Sequence, residues 1–294
     1  MRAVAVSDGH SRLTDLLLLT KVRVNALVVA TTAGGYYMAS PASVEPVRFV
    51  VTCLGTALVA SGAAAINQVT ERDVDRLMER TRARPVADGR LAPLEGRLIA
   101  AALSSVGLVG LWLAANGLAA LVALITLVTY AAVYTPLKRR TSLATVVGAV
   151  PGALPPLIGW AAARGTLAEP GPWSLFLIMF LWQLPHFLAI AWRYRGEYAS
   201  AGLPMLPVVD VTGALTGRQA ALWAATLIPF SLLPVLLGLT GPAYAVGALV
   251  LGLAQLTLAV MFAMQRTDDR ARQLFYGSII DLPLLWLLMV FSRV

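Results

Sequence analysis

Residues 48–85 read RFVVTCLGTALVASGAAAINQVTERDVDRLMERTRARP, and the change of character inside this stretch decides the fold. From Phe49 to Ile66 no side chain is charged. As helix, such a run covers about 27 Å, enough to cross most of a hydrocarbon core roughly 30 Å thick. At Asn67 the pattern switches to alternating acids and arginines, as where a membrane span leaves the bilayer.

Working outward, the same alternation of apolar runs with short basic stretches recurs along the whole chain. It predicts an all-α polytopic membrane protein with nine spans, at residues 22–39, 48–68, 97–115, 117–136, 143–162, 172–192, 219–239, 242–265 and 273–292. The composition agrees: of 294 residues, 58% are hydrophobic and only 13% charged, which excludes a soluble globule. One cysteine, Cys53, excludes a disulfide framework or a cysteine-held metal, and two histidines, His10 and His186, leave no histidine cluster.

The formal charge of +8 is a topology signal and not a sign of nucleic-acid binding. Only Arg48, Arg164 and Arg293 fall in alternate loops; the other basic residues, from Arg2 to Arg272, share the opposite side. The positive-inside rule then predicts a cytoplasmic N-terminus and an outward C-terminus. Asp8 and Asp15, and the lack of a small-residue cleavage site after the first apolar run, argue against a removed signal or transit peptide. The expected setting is a bacterial plasma membrane. The longest polar connections, 69–96 and 193–218, both fall on the cytoplasmic side.

Three constellations of polar residues stand out from this apolar background. Asn67, Glu71 and Asp75 are spaced i, i+4, i+8, which places an amide and two carboxylates on one helical face over about 12 Å. Hard oxygen donors of this kind hold Mg²⁺ while leaving positions for water and phosphate oxygens. The same spacing also suits a solvated helix end whose acids are offset by Arg72, Arg76 and Arg80. Asp73 points away from that face. Basic residues follow: Arg80 and Arg84, then Tyr134 and Lys138 across the next loop on that side, with Lys21 and Arg23 at the start of the first span. Singly each is a topology determinant; beside an acidic face they describe a diphosphate site.

The third constellation closes the sixth span, with Trp182, Gln183, His186, Arg193, Glu197 and Tyr198. His186 lies about 9 Å of helix rise inside the expected end, a depth at which polar groups face a bundle interior or pack helices together. Asp281, near the middle of the ninth span, has to be paired or protonated. Pro151, Pro155 and Pro156 predict a kink in the fifth span.

These residues, in this order, resemble the UbiA superfamily of intramembrane prenyltransferases, in the branch that farnesylates haem. Its NxxxDxxxD motif corresponds to Asn67, Glu71 and Asp75, and MxRTxxRP to Met78, Arg80, Thr81, Arg84 and Pro85. YTPLKRRTS from Tyr134, PGALPPLIGW from Pro151, WQLPHF from Trp182, the EYxxAGxPMLPV pattern from Glu197 and a terminal SII-LPLL pattern complete a series that covers nearly the whole chain. The resemblance implies nine helices around a central cavity open to the cytoplasmic side and to lipid. It further implies transfer of the prenyl group of farnesyl diphosphate to the vinyl group of haem B, with addition of water.

In that reading Mg²⁺ sits on Asn67, Glu71 and Asp75, with Glu197 a candidate for a further metal contact and the number of Mg²⁺ ions open. Lys138, Lys21, Arg23, Arg80, Arg84 and Tyr134 meet the diphosphate, and His186, Trp182, Gln183, Arg193, Glu197 and Tyr198 meet haem. Haem A synthase or an oxidase assembly factor is the candidate protein partner. The chain departs from the pattern at Glu71, usually Asp, at Arg193, which occupies the first acidic position of the second motif, at Ala144, often Asn, and at Asp281, often Tyr. Two alternatives stand beside this reading: a related prenyltransferase acting on a quinone-precursor ring or another tetrapyrrole, and a transporter or assembly scaffold that binds without reacting.

Overall fold

The computed structural model describes residues 11–40 and 43–294; Arg2, Asp8 and His10 lie outside them. Seventeen α-helices follow in chain order, α1 Arg12–Thr20, α2 Val22–Ala39, α3 Pro46–Thr70, α4 Arg72–Asp75, α5 Pro85–Asp88, α6 Pro93–Ala114, α7 Gly117–Val128, α8 Thr135–Leu137 and α9 Ala144–Ala153. Then come α10 Pro155–Arg164, α11 Pro170–Arg193, α12 Arg195–Ser200, α13 Leu206–Val209, α14 Ala214–Ser231, α15 Leu233–Leu236, α16 Pro242–Gln265 and α17 Asp268–Phe291. Among the described residues there is no strand, only an isolated bridge between Thr240 and Arg293.

Eight helical stretches are long and apolar enough to span a membrane, and α1 with α2, bent by 46°, makes a ninth if the broken pair is one span. The count agrees with the sequence, and the breaks add detail. Lys21, between α1 and α2, takes a left-handed backbone with φ of 50°, which turns the chain before the first apolar run. The fifth span breaks at Leu154, between α9 and α10, where Pro155 and Pro156 follow directly. A proline there removes backbone donors and clashes with the preceding turn. The fourth span changes pitch near its C-terminal end: Thr129–Tyr134 forms a π-helical turn joining α7 to α8. The hydrophilic connection 69–96 is not featureless, because α4 and α5 fold back within it.

Helix starts follow local chemistry. Pro46, Pro93, Pro170 and Pro242 occupy first turns, where their missing N–H costs nothing. The side chains of Ser11, Asn116 and Thr267 accept from backbone N–H groups three residues on. Where α2 crosses α10 the backbones nearly touch, since a Cβ on Gly35 would strike the Pro156 carbonyl and one on Gly159 the Thr32 carbonyl. Small residues at such crossings replace the hydrophobic drive that lipid cannot supply.

The distribution of apolar surface is that of a protein solvated by lipid. Trp112, Leu113, Leu236, Val246 and Phe291 are exposed, whereas Asn67, Gln68, Glu71, Asp75, Gln183, Gln255 and Asp281 are buried. A water-soluble fold would reverse that arrangement.

Candidate diphosphate and metal site

α3 ends at Thr70 and α4 begins at Arg72, with Glu71 between them in a non-helical conformation. The four-residue hydrogen-bond rhythm nonetheless continues, since Glu71 N donates to the Asn67 carbonyl at 2.9 Å and Asp75 N to the Glu71 carbonyl at 2.8 Å. Asn67, Glu71 and Asp75 are therefore all buried on the inner side of this turn, at 3%, 2% and 0% exposure. Asp73 faces out and pairs with Arg139 at 2.7 Å. That hydrogen bond holds its carboxyl below the usual value, whereas burial pushes the Asp75 carboxyl up against the pull of Arg84.

Each inner oxygen donor is paired with a cation, two of them from distant parts of the chain. Lys21 Nζ donates to Asn67 Oδ1 at 3.2 Å and Lys138 Nζ to Glu71 Oε2 at 3.2 Å. Arg84 Nη1 lies 2.8 Å from both oxygens of Asp75. Asn67 Nδ2 donates in turn to Thr135 Oγ1 at 3.4 Å, tying α3 to the turn that follows the π-helical segment. Tyr130 and Tyr134, with ring centroids 5.5 Å apart, project from that segment. Tyr130 lies within electrostatic reach of Glu71, Lys138 and Arg84. A π-turn resets which residues face inward and is frequent at functional sites.

The donor set suits a hard divalent ion. Glu71 Oε1 is buried with no hydrogen-bond partner, while its other oxygen holds Lys138. An orphaned buried carboxylate oxygen is costly unless a cation or water completes it. Among the described residues no three His, Cys, Asp or Glu side chains converge, so the protein's share would be two carboxylates and an amide. Mg²⁺ ordinarily keeps several waters and takes its remaining oxygens from phosphate.

Arg80 and the residues after the sixth span close one flank. The Arg80 guanidinium stacks over Tyr194 at 4.4 Å and donates to the Tyr198 hydroxyl at 3.0 Å, and its backbone N–H donates to Glu197 Oε2 at 3.1 Å. Glu197 thus fastens the loop after α4 to α12. Arg193 lies over the rings of Phe275 and Tyr194, and Arg23 is exposed.

His186, Trp182 and Gln183 form a separate group along α11. His186 is sandwiched between Trp182, 5.0 Å away, and Phe275, 5.1 Å away, with Nδ1 2.7 Å from Ser278 Oγ on α17. Trp182 Nε1 donates to the Ser278 carbonyl at 3.0 Å. Gln183 donates to the carbonyls of Met179 and Ala149, bridging to α9. Lys21, Asn67, Glu71, Asp75, Arg84 and Lys138 therefore meet in one network, and His186 belongs to another. Thr135, Tyr130, Ser278 and Phe275 were not among the sequence candidates. Tyr130 stands four residues before Tyr134, a spacing that could have flagged it; Thr135 and Ser278 lie inside the YTPLKRRTS and SII-LPLL stretches, which gave them no individual role.

The described residues form a helical, membrane-spanning bundle in which buried carboxylates and cations from three segments meet at one turn. The chain belongs to the UbiA prenyltransferase family, whose model matches residues 27–288. It is 46% identical over 290 residues to a protoheme IX farnesyltransferase of Solibacter usitatus, with 95% of this chain and 98% of that protein covered. Its fold is similar to a solved structure of digeranylgeranylglyceryl phosphate synthase, with a TM-score of 0.80 at 18% identity, covering 95% of this chain and 98% of that one. It is also similar to a UbiA homologue from Archaeoglobus fulgidus bound to GPP and Mg²⁺, with a TM-score of 0.57 at 17% identity, covering 94% and 99%.

Proposed function

We propose that this protein is a Mg²⁺-dependent prenyltransferase that moves the farnesyl group of farnesyl diphosphate onto a vinyl group of haem B, in a bacterial plasma membrane with its site toward the cytoplasm. The observation that carries the reading is the near-complete alignment, at 46% identity, with a relative of that name. The orphaned Glu71 oxygen beside Lys138 supports the metal-assisted part, as does the Mg²⁺ and GPP bound by the Archaeoglobus homologue.

Asn67, Glu71 and Asp75 would hold the ion, which supplies charge neutralisation for the diphosphate leaving group. This chain's own cations would do the rest of that work: Lys138, Lys21, Arg84 and Arg80, now paired within the protein, would exchange those partners for phosphate oxygens. The C1–O bond of the prenyl diphosphate breaks with its electron pair leaving on diphosphate. The vinyl π electrons then form the new C–C bond, and water adds to the resulting cation with loss of a proton. Tyr130 and Tyr134 offer ring faces near Glu71, where positive charge develops. Haem is taken by the His186, Trp182 and Phe275 stack, with Arg193 and Tyr198 toward the diphosphate end.

The test is incubation of the purified protein with haem B, farnesyl diphosphate and Mg²⁺, with chromatography and mass spectrometry of the haem and an EDTA control. Farnesylated, hydrated haem that appears only with Mg²⁺ is the expected outcome. Prenylation of an aromatic acid in place of haem would keep the diphosphate site and remove the acceptor.

A further inference from the structure

A surface groove lies on the other side of the same turn from the inner site. It encloses about 480 Å³ and is lined by Ile66, Val69, Thr70 and Asp73 of the α3–α4 segment, by Arg72 and Arg97, and by Arg139 from the following loop. Its lining joins the apolar Ile66 and Val69 to three guanidinium groups and one carboxylate. That carboxylate, Asp73, is already taken up by Arg139 at 2.7 and 2.9 Å. Arg72 has no ion-pair partner among the described residues, and the one bond of the Arg97 side chain is a 3.4 Å contact to the Pro93 carbonyl of its own helix. Two guanidinium charges are thus left without a counter-ion.

The position of the groove says what would supply one. Arg97 lies in the second turn of α6, between Leu94 and Leu98, which are 64% and 63% exposed. Exposed leucines on a membrane span face acyl chains, so the groove straddles the line between hydrocarbon and headgroups. A ligand that fits carries an anionic phosphate at one end and an apolar chain beside it.

We propose that this groove binds the headgroup of an anionic phospholipid, with the phosphate against Arg72 and Arg97 and an acyl chain along Ile66, Leu94 and Leu98. Basic recesses between spans at the membrane edge attract such headgroups, each arginine strengthening the attraction about fivefold. Arg139 is adjacent to Lys138, whose Nζ holds Glu71. A headgroup in the groove therefore rests on the outer side of the loop that carries one of the inner site's cations. The inference is independent of the acceptor that the inner site uses.

The experiment is native mass spectrometry of the full chain, delipidated in detergent and titrated with phosphatidylglycerol or phosphatidylcholine of matched chains. The wild type is expected to bind the first phosphatidylglycerol at least tenfold more tightly than phosphatidylcholine. Arg72→Gln with Arg97→Gln should erase most of that preference. Arg270→Gln with Arg272→Gln, which removes two arginines at the start of α17, outside the groove, should leave it intact. If the double variant fails to purify, Arg97→Gln alone, altered at an exposed position, should weaken the preference about fivefold. Three results would overturn the proposal: no preference in the wild type, equal loss in the Arg270 and Arg272 control, or full displacement of the lipid by inorganic phosphate or farnesyl diphosphate at matched concentration, which would mark a site for soluble anions or for the prenyl substrate.

Discussion

Asp75→Asn and Asp73→Asn are two residues apart, identical as chemistry and opposite in setting. Asp75 is fully buried with both oxygens 2.8 Å from Arg84 Nη1, and removing one partner of a buried pair costs about 3–5 kcal/mol. The Arg84 side chain is 24% exposed, so water recovers part of that cost and about 2 kcal/mol is expected. A lost anionic ligand at a site that stabilises a leaving group removes a further 10²–10³ in turnover, roughly. Asp73, with a side chain 63% exposed, contributes at most about 1 kcal/mol through Arg139, and its amide variant should keep turnover within about threefold. Initial rates of farnesyl-haem formation, with tryptophan-fluorescence melting as the check on folding, separate the two. Equal loss of rate in both variants, or near-normal turnover in Asp75→Asn, would refute the assignment of Asn67, Glu71 and Asp75 to one inner face.

The other predictions concern the acceptor group and the packing. His186→Ala opens the stack between Trp182 and Phe275 and frees Ser278, so the KM for haem B should rise up to about tenfold, the worth of one hydrogen bond, while that for farnesyl diphosphate changes less than twofold. A shift in the farnesyl diphosphate KM instead would move His186 to the diphosphate end. Gly35→Ala drives a methyl group into the Pro156 backbone and should lower stability by about 1–3 kcal/mol, read as a lower melting temperature. Gly110→Ala, with nothing within 4 Å of its added Cβ, is the control and should be neutral or stabilising by up to about 1 kcal/mol.

Much of the architecture was legible because a bilayer punishes exposed backbone polarity, which makes hydropathy alone a strong constraint on where helices run. The span 242–265 coincides with α16 to the residue, and the proline cluster at 151–156 marks the break at Leu154. The acidic turn was legible for a similar reason: its three donors are four residues apart and local geometry places them together. The bend at Lys21 was not, since a left-handed residue that is not glycine carries no compositional sign. Nor was the π-turn at Thr129–Tyr134, which arises where one extra residue is fitted between α7 and α8.

The sequence by itself determined the membrane-spanning class, the positions of the apolar segments and the inventory of acids and bases at one end of the bundle, because these follow from periodicity and short-range spacing. Only the tertiary structure decided the pairings. Lys21 meets Asn67 across 46 residues, Lys138 meets Glu71 across 67, and His186 meets Ser278 across 92. Those contacts depend on how helices cross, and crossings are set by close backbone approach at small residues such as Gly35 and Gly159, a property of two surfaces together that neither segment carries alone.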